Sequence, residues 1–316
     1  MKNLLSLIAF LLLFFPGVHA QSQYPIVAIG FYNLENLFDP ADDPKKLDND
    51  FTPRGAYRYT DAIYKKKLHN LATVLSKIAV DEASDGLAIM GVAEVENKKV
   101  LQDLIKQPEL KSRNYQIIHF ESPDIRGIDV ALLYRSTFFK VLKAQALPVV
   151  LKQKNKRIYT RDILYVKGIL TNSDTVHIMV GHWPSRRGGE AASRWKRERA
   201  AEVCKAQLDS IVAVNPQAKV IIMGDLNDDP ISPSVAKTLG ATGDEKDLRA
   251  GGLFNPWWKY YSKGIGTSAY NDVWNLFDQI ILSSGFMQQQ QGWKFYKAEI
   301  FKRSFLMTQF GKYKGY

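Results

Sequence analysis

Residues 220–230 read VIIMGDLNDDP: four apolar residues run into Gly224, and Asp225, Asn227, Asp228 and Asp229 crowd the positions before Pro230. The apolar run is a short strand. Gly, Asn, Asp and Pro are what any tight turn uses, so taken alone the stretch reads as a strand ending in a polar turn. It becomes a chemical site only if the rest of the chain brings partners to those carboxylates.

The surrounding sequence repeats the pattern. Residues 26–32 (IVAIGFY), 87–92 (LAIMGV), 115–120, 128–134 and 278–282 are strand-like runs, and 161–170 with 176–181 reads as an antiparallel pair turning at Thr171-Asn172-Ser173-Asp174. Residues 61–80 place Ile63, Leu68, Leu71, Val74, Leu75 and Ile78 on one helical face with lysines opposite. Residues 190–214 form a long, charge-rich helical segment stopped by Asn215-Pro216. Strands outnumber helices, which predicts an α/β protein of two packed sheets covered by helices.

Of the 316 residues, 46% are hydrophobic and 24% charged, the composition of a folded chain rather than a disordered one. No linker or long repeat divides it, so residues 21–316 are expected to be one domain. Residues 1–20 (MKNLLSLIAFLLLFFPGVHA) have a basic start, an apolar core and a Val-His-Ala ending, the layout of a cleaved secretory signal. That core is too short to span a bilayer, and no later stretch is apolar enough. The mature protein is expected to be periplasmic or secreted, and monomeric. A single cysteine, Cys204, excludes an intrachain disulfide and reads as a small buried hydrophobe. The net charge of +11 favours polyanions without choosing among nucleic acid, phospholipid and sugar phosphate.

Polar groups recur just past the apolar runs: Asn33 and Glu35, Glu94 and Glu96, His182, Asp225 and Asn227, with Asp278 opening the last strand. Each alone is how any strand ends. If the ends meet at one rim, they form an oxygen-rich site with one imidazole, suited to Mg²⁺, Mn²⁺ or Ca²⁺. Arg126, Arg186 and Arg187 lie in the same stretches, either as a solvated charge run or as phosphate ligands. Such a set equips attack of water on a phosphate ester.

FYNLEN, GVAEVEN, RGIDVALLY, VGHWPSR, IIMGDLNDDP and LFDQIILS, in this order, resemble the endonuclease/exonuclease/phosphatase family, over residue 26 to the end. The resemblance implies a four-layer α/β sandwich, two packed, mainly antiparallel sheets flanked by helices, and a divalent-metal-dependent phosphoesterase. It places Glu94 and Asn33 at the metal, with Glu35 supporting. It gives Asp225 the water, Asn227 the fixing of that carboxylate or the phosphate, and His182 a bond to a phosphate oxygen. Asp278 would orient a second histidine, while the guanidinium chemistry itself, apart from the resemblance, has Arg126 and Arg186 holding phosphate oxygens. Glu96 is expected to stand behind Glu94 or face solvent.

The family closes with a Ser-Asp-His motif, whereas the histidines here are 19, 69, 119, 177 and 182. The expectation is a chain cut short of that motif, weakly active or inactive as it stands, rather than a member that lost it. A secreted endonuclease or phosphodiesterase is the leading reading, with Trp183, Trp195, Trp257 and Trp258 as base-stacking candidates or core. A phospholipid phosphodiesterase, a phosphomonoesterase and a non-catalytic binding protein remain the alternatives.

Overall fold

The structure, a computed structural model, describes residues 25–315 except 172, 271, 288–291, 312 and 313. The expected signal at 1–20 and the second residue of the 171–174 turn lie outside the described residues.

Eleven strands build two sheets. They are β1 (Ala28–Leu37), β2 (Leu87–Val95), β3 (Tyr115–His119), β4 (Asp129–Arg135), β5 (Phe139–Leu147), β6 (Ile163–Leu170), β7 (Thr175–His182), β8 (Lys219–Asp225), β9 (Ala241–Thr242), β10 (Leu253–Phe254) and β11 (Asp278–Ser283). The first sheet has the order β1-β2-β4-β3 and the second β9-β10-β11-β8-β7-β6-β5. Pairing is antiparallel except β1 with β2, β7 with β8 and β9 with β10. Three helices cover the outer faces: α1 (Asp61–Leu75), α2 (Lys98–Ile105) and α3 (Glu190–Val214).

The two packed sheets explain the unbroken apolar runs. In β8, Val220 and Ile222 join the cluster beneath α3, while Ile221 and Met223 point between the sheets. In β2, Met90 and Val92 face α1 and α2, while Ile89 and Ala93 face inward. A strand buried on both faces cannot alternate polar with apolar residues, so it reads as a solid hydrophobic run. On α3, Ala200, Ala201, Cys204, Leu208 and Ile211 recur at helical spacing and cover the second sheet.

Two boundaries differ from the sequence reading. The helix expected over 61–80 stops at Leu75, and Ala79 turns left-handed at φ 62°, so the Ile78 pattern continues only as packing. Strands β1 and β2 run past their expected ends, so Asn33, Glu35 and Glu94 lie within strands rather than beyond them. Among the described residues no helix is long and apolar enough to cross a membrane.

Candidate active site

The second sheet ends in an ordered row. Asp225 pairs with His182 on one side and with Asp278 on the other, so β7, β8 and β11 deliver an imidazole and two carboxyls to one rim. This packing needs Gly224. Its φ is 155°, and a Cβ there would stand 2.0 Å from the Gly181 carbonyl oxygen on β7. The first sheet meets this row with a bond between sheets, from Asn33 Nδ2 to Asp225 Oδ2 at 3.1 Å.

Glu94 arrives by a different device. The β2–β4 register shifts between Ala93 and Val95, and Glu94 takes φ 59° in that bulge. Opposite it, β1 shifts register between Asn33 and Leu37, with Glu35 at φ 53° and Asn36 at φ 57°. Asn36 N donates to Glu94 Oε2 (2.8 Å) and Glu35 N to Asn33 Oδ1 (2.8 Å). The Lys67 ammonium donates to the Glu35 and Asn36 carbonyls and pins the distorted strand. Left-handed non-glycine residues cost roughly 1–2 kcal/mol each. Their concentration at Glu35, Asn36, Glu94 and Asn227 (φ 49°) marks a backbone held in shape by its surroundings.

Charge is crowded here. Burial first, and the charge of Glu94 after it, push the Asp225 carboxyl up, against bonds from Asn227 N (2.9 Å) and Asn33 that hold it down. Burial and then Asp225 push the Asp278 carboxyl up to about 7, and its Oδ1 has no hydrogen-bond partner. The second histidine expected beside Asp278 is not among the described residues. His182 is buried, and burial, Arg161 and Arg126 hold its imidazole well below its usual range, so the ring is neutral. Its Nε2 stands 3.9 Å from Glu94 Oε1 and 3.8 Å from Asp225 Oδ2, too far for hydrogen bonds and open to a third group between them.

These residues fit a divalent cation. Glu94, Glu35, Asp225 and Asp278 gather carboxylates around one cleft, while the nearby Lys67 donates to backbone carbonyls and Arg161 to the carbonyls of His182 and Trp183 and to Asp124 Oδ2. The donors are all oxygens, the set that hard cations take. Among the described residues, the group of His, Asp and Glu whose ligand atoms already lie within 4.8 Å of one another is a different one, His119, Glu121 and Asp129, at the end of the first sheet. There Asp129 is already engaged, with His119 Nε2 at 3.0 Å and with the Ser122 N–H (2.8 Å) and hydroxyl, as a brace for the turn before β4.

The arginines separate. Arg126 is half exposed, 3.4 Å from Asp124, and close enough to depress His182. Arg186 does not have the freedom expected of a phosphate ligand. It donates to Asn227 O (3.0 Å), Asp228 Oδ1 (3.1 Å), Asp229 Oδ2 (3.0 Å) and Glu190 Oε2 (3.3 Å), and lies over the Phe277 ring. Arg186 thus clamps the DLNDDP loop, aided by the fully buried Arg197, whose Nε is 2.8 Å from Asp228 Oδ2. Asp228 and Asp229 are structural, as turn chemistry suggested.

Two further expectations change. Glu96 is not solvent-facing: the bulge at Glu94 breaks the alternation, and Glu96 turns into the chain to accept from Asp39 N at 2.6 Å. Of the four tryptophans, Trp183 and Trp257 are buried and so are core rather than stacking platforms, while Trp195, on α3, packs in part against the core and Trp258 is half-buried. Arg161 went unnoticed in the sequence. It is buried and donates to His182 O (3.1 Å), Trp183 O (2.7 Å) and Asp124 Oδ2 (3.0 Å), which fixes the end of β7. A cavity of about 430 Å³, lined by Ile26, Glu82, Asp85 and Phe138 among others, lies at the opposite strand ends and contains none of these groups.

The sequence model of the Endonuclease/Exonuclease/phosphatase family matches residues 28–316. No curated protein sequence matches the chain. Among solved structures, a mannosyl-6-phosphatase of Bacteroides thetaiotaomicron is similar at a TM-score of 0.51 and 15% identity, over 82% of this chain and 85% of that one. Humanized D. rerio TDP2 gives 0.49 and 17%, over 81% and 83%. The human Nocturnin catalytic domain gives 0.44 and 17%, over 62% and 69%. The first of these likenesses is one of fold.

Proposed function

Because the chain belongs to the endonuclease/exonuclease/phosphatase family, a family of phosphoesterases, we propose that it is a divalent-metal-dependent phosphodiesterase whose substrate is nucleic acid. The observation that carries this reading is the row His182–Asp225–Asp278 across three neighbouring strands, tied to the first sheet by Asn33. Glu94, Asn33 and Glu35 are the residues that would hold the cation. When bound there, it supplies charge neutralisation at the phosphate and stabilises the leaving oxygen.

The protein's own groups do the rest. Asp225 accepts the proton of the attacking water, and its raised proton affinity brings it nearer the working pH. Asn227 fixes that carboxylate through its N–H, and its side chain is itself held by Trp183 O at 3.0 Å. The neutral His182 donates from Nε2 to a phosphate oxygen seated between Glu94 and Asp225. Arg126, with its free face, draws the phosphate in. Export of the protein belongs to the same proposal and rests on residues 1–20 alone.

The test is hydrolysis of plasmid DNA, RNA, sphingomyelin and both bis- and mono-p-nitrophenyl phosphate, with Mg²⁺ or Mn²⁺ and with EDTA. DNA or RNA cleavage that EDTA stops, and that Asp225→Asn lowers by at least about 100-fold, is the expected result. Activity of Asp225→Asn near wild type refutes the role of Asp225, and no cleavage of any ester by a chain extended to carry the Ser-Asp-His motif refutes the enzymatic reading.

A further inference from the structure

Between β5 and β6 the chain forms a small hairpin, Leu151–Gln153 paired with Lys156–Ile158 in the register Leu151↔Ile158, Lys152↔Arg157 and Gln153↔Lys156. Its two-residue loop has Lys154 at φ 47° and Asn155 at φ 60°, the left-handed pair of a type I′ turn. Leu151 is buried and Ile158 packs against the core beneath α3, so the hairpin is anchored at its base. Everything beyond the base is exposed, and Lys152, Lys154, Lys156 and Arg157 all point to solvent.

None of these four cations makes an ion pair with a described residue. Arg157 acts at a distance on the half-buried Asp162, whose carboxylate accepts Val149 N at 3.2 Å. Lys152 and Arg157 face each other across the two strands. Like charges directly opposite are destabilising, and an ordinary surface hairpin would relieve them with a glutamate. Tyr159 follows with its ring half exposed and the Arg157 guanidinium 5.0 Å away.

The position connects this patch to the active site. Leu147, just before the hairpin, pairs with Ile163, and Arg161, just after it, grips the carbonyls of His182 and Trp183. The hairpin therefore stands at the same rim of the second sheet as the candidate catalytic residues, displaced from them along the edge.

We infer that the 151–158 hairpin docks the backbone of a nucleic-acid strand beside the scissile phosphate, a substrate contact that rests on the phosphodiesterase reading. Four lysine and arginine charges without an acidic partner suit successive phosphates and read no sequence. Tyr159 beside Arg157 offers a face for a base. The tip, Gln153-Lys154-Asn155-Lys156, carries no apolar side chain to enter a bilayer, which argues against a lipid surface.

The experiment measures binding of the full chain to a fluorescein-labelled 20-nucleotide single strand in EDTA, by anisotropy across NaCl concentrations. Two variants are compared: Lys152→Gln/Lys154→Gln/Lys156→Gln/Arg157→Gln, and a control that removes the same charge from exposed positions flanking the first sheet, Lys65→Gln/Lys66→Gln/Lys106→Gln/Lys111→Gln. The hairpin variant should bind at least about tenfold more weakly, and its slope of log affinity against log salt should fall by about 2–3. The control should stay within about threefold of wild type. The hairpin variant's thermal midpoint should match or exceed wild type, because the Lys152–Arg157 repulsion is gone. Equal weakening of both variants, or of neither, overturns the inference. So does a hairpin variant that keeps its DNA affinity but loses binding to phosphatidylserine vesicles, which would make the patch a membrane contact. Hairpin-dependent DNA binding, with no ester hydrolysed even by a chain extended to carry the Ser-Asp-His motif, supports the docking site while refuting the catalytic reading.

Discussion

Arg161→Met tests whether the end of β7 is held as the geometry implies. The guanidinium is buried, and three of its donors go to His182 O, Trp183 O and Asp124 Oδ2 at 2.7–3.1 Å. Methionine replaces the aliphatic stem, so little volume is lost and the cost is polar. Two carbonyls lose a charged donor, and the equally buried Asp124 keeps its charge with only Arg126 nearby, Nε at 3.4 Å. Breaking a buried ion pair by removing one partner costs about 3–5 kcal/mol. The expected loss is about 3 kcal/mol, the low end, since Arg126 N still donates to Asp124 Oδ1 at 2.9 Å. Urea unfolding with an unchanged m-value measures it. Much of that loss is the stranded Asp124 charge, so adding Asp124→Asn should recover about 1–2 kcal/mol. A loss under about 1 kcal/mol, or two losses that simply add, would refute the claim that this pair fixes the rim.

Gly224→Ala should destabilise by about 3 kcal/mol in the same urea assay and lower hydrolysis with it, because the new methyl would stand 2.0 Å from Gly181 O and separate Asp225 from His182. His177 gives the pH dependence: burial, and after it Lys167, its cross-strand partner, push its imidazole down to about 4. A base with a depressed folded pKa contributes stability that is complete above its unfolded value near 6.5 and is lost as pH falls toward 4. With screening at this partly exposed ring, the loss between pH 7 and pH 4.5 should be about 1–2 kcal/mol larger in wild type than in His177→Gln, read from urea midpoints and m-values at the two pH values.

The layered fold was legible because burial on both faces writes itself as apolar runs. Residues 220–223 and 87–92 fall within β8 and β2, and the 190–214 helix has its observed limits. The edge strand β5 was missed for the opposite reason: its burial is irregular and its lysines are exposed, so no period stands out. The tryptophans were left open between stacking and core, because a large aromatic beside a functional motif looks the same in sequence whether it packs inward or outward. Arg161 was invisible for a related reason. A buried arginine is recognised only by its acceptors, and two of the three are carbonyls of residues 21 and 22 positions away.

The bulges explain why the candidate site was only partly readable. Side chains in a regular strand alternate, so Glu94 and Glu96 should share a face. The left-handed turn at Glu94 breaks that rule: Glu94 faces His182, and Glu96 accepts from Asp39 N instead. The second sheet needs no such device, because Asp225 and its neighbours stand at regular strand ends in matched register. The two halves of the cleft are therefore held differently, one by ladder pairing and one by distorted strands pinned by Lys67 and the Asn36 N–H. Sequence periodicity captures the first kind and is misled by the second. The residues assigned to the cation, Glu94, Asn33 and Glu35, all come from the distorted half. In the first sheet those oxygens reach the cleft where the backbone leaves its regular path, at the register shifts of β1 and β2.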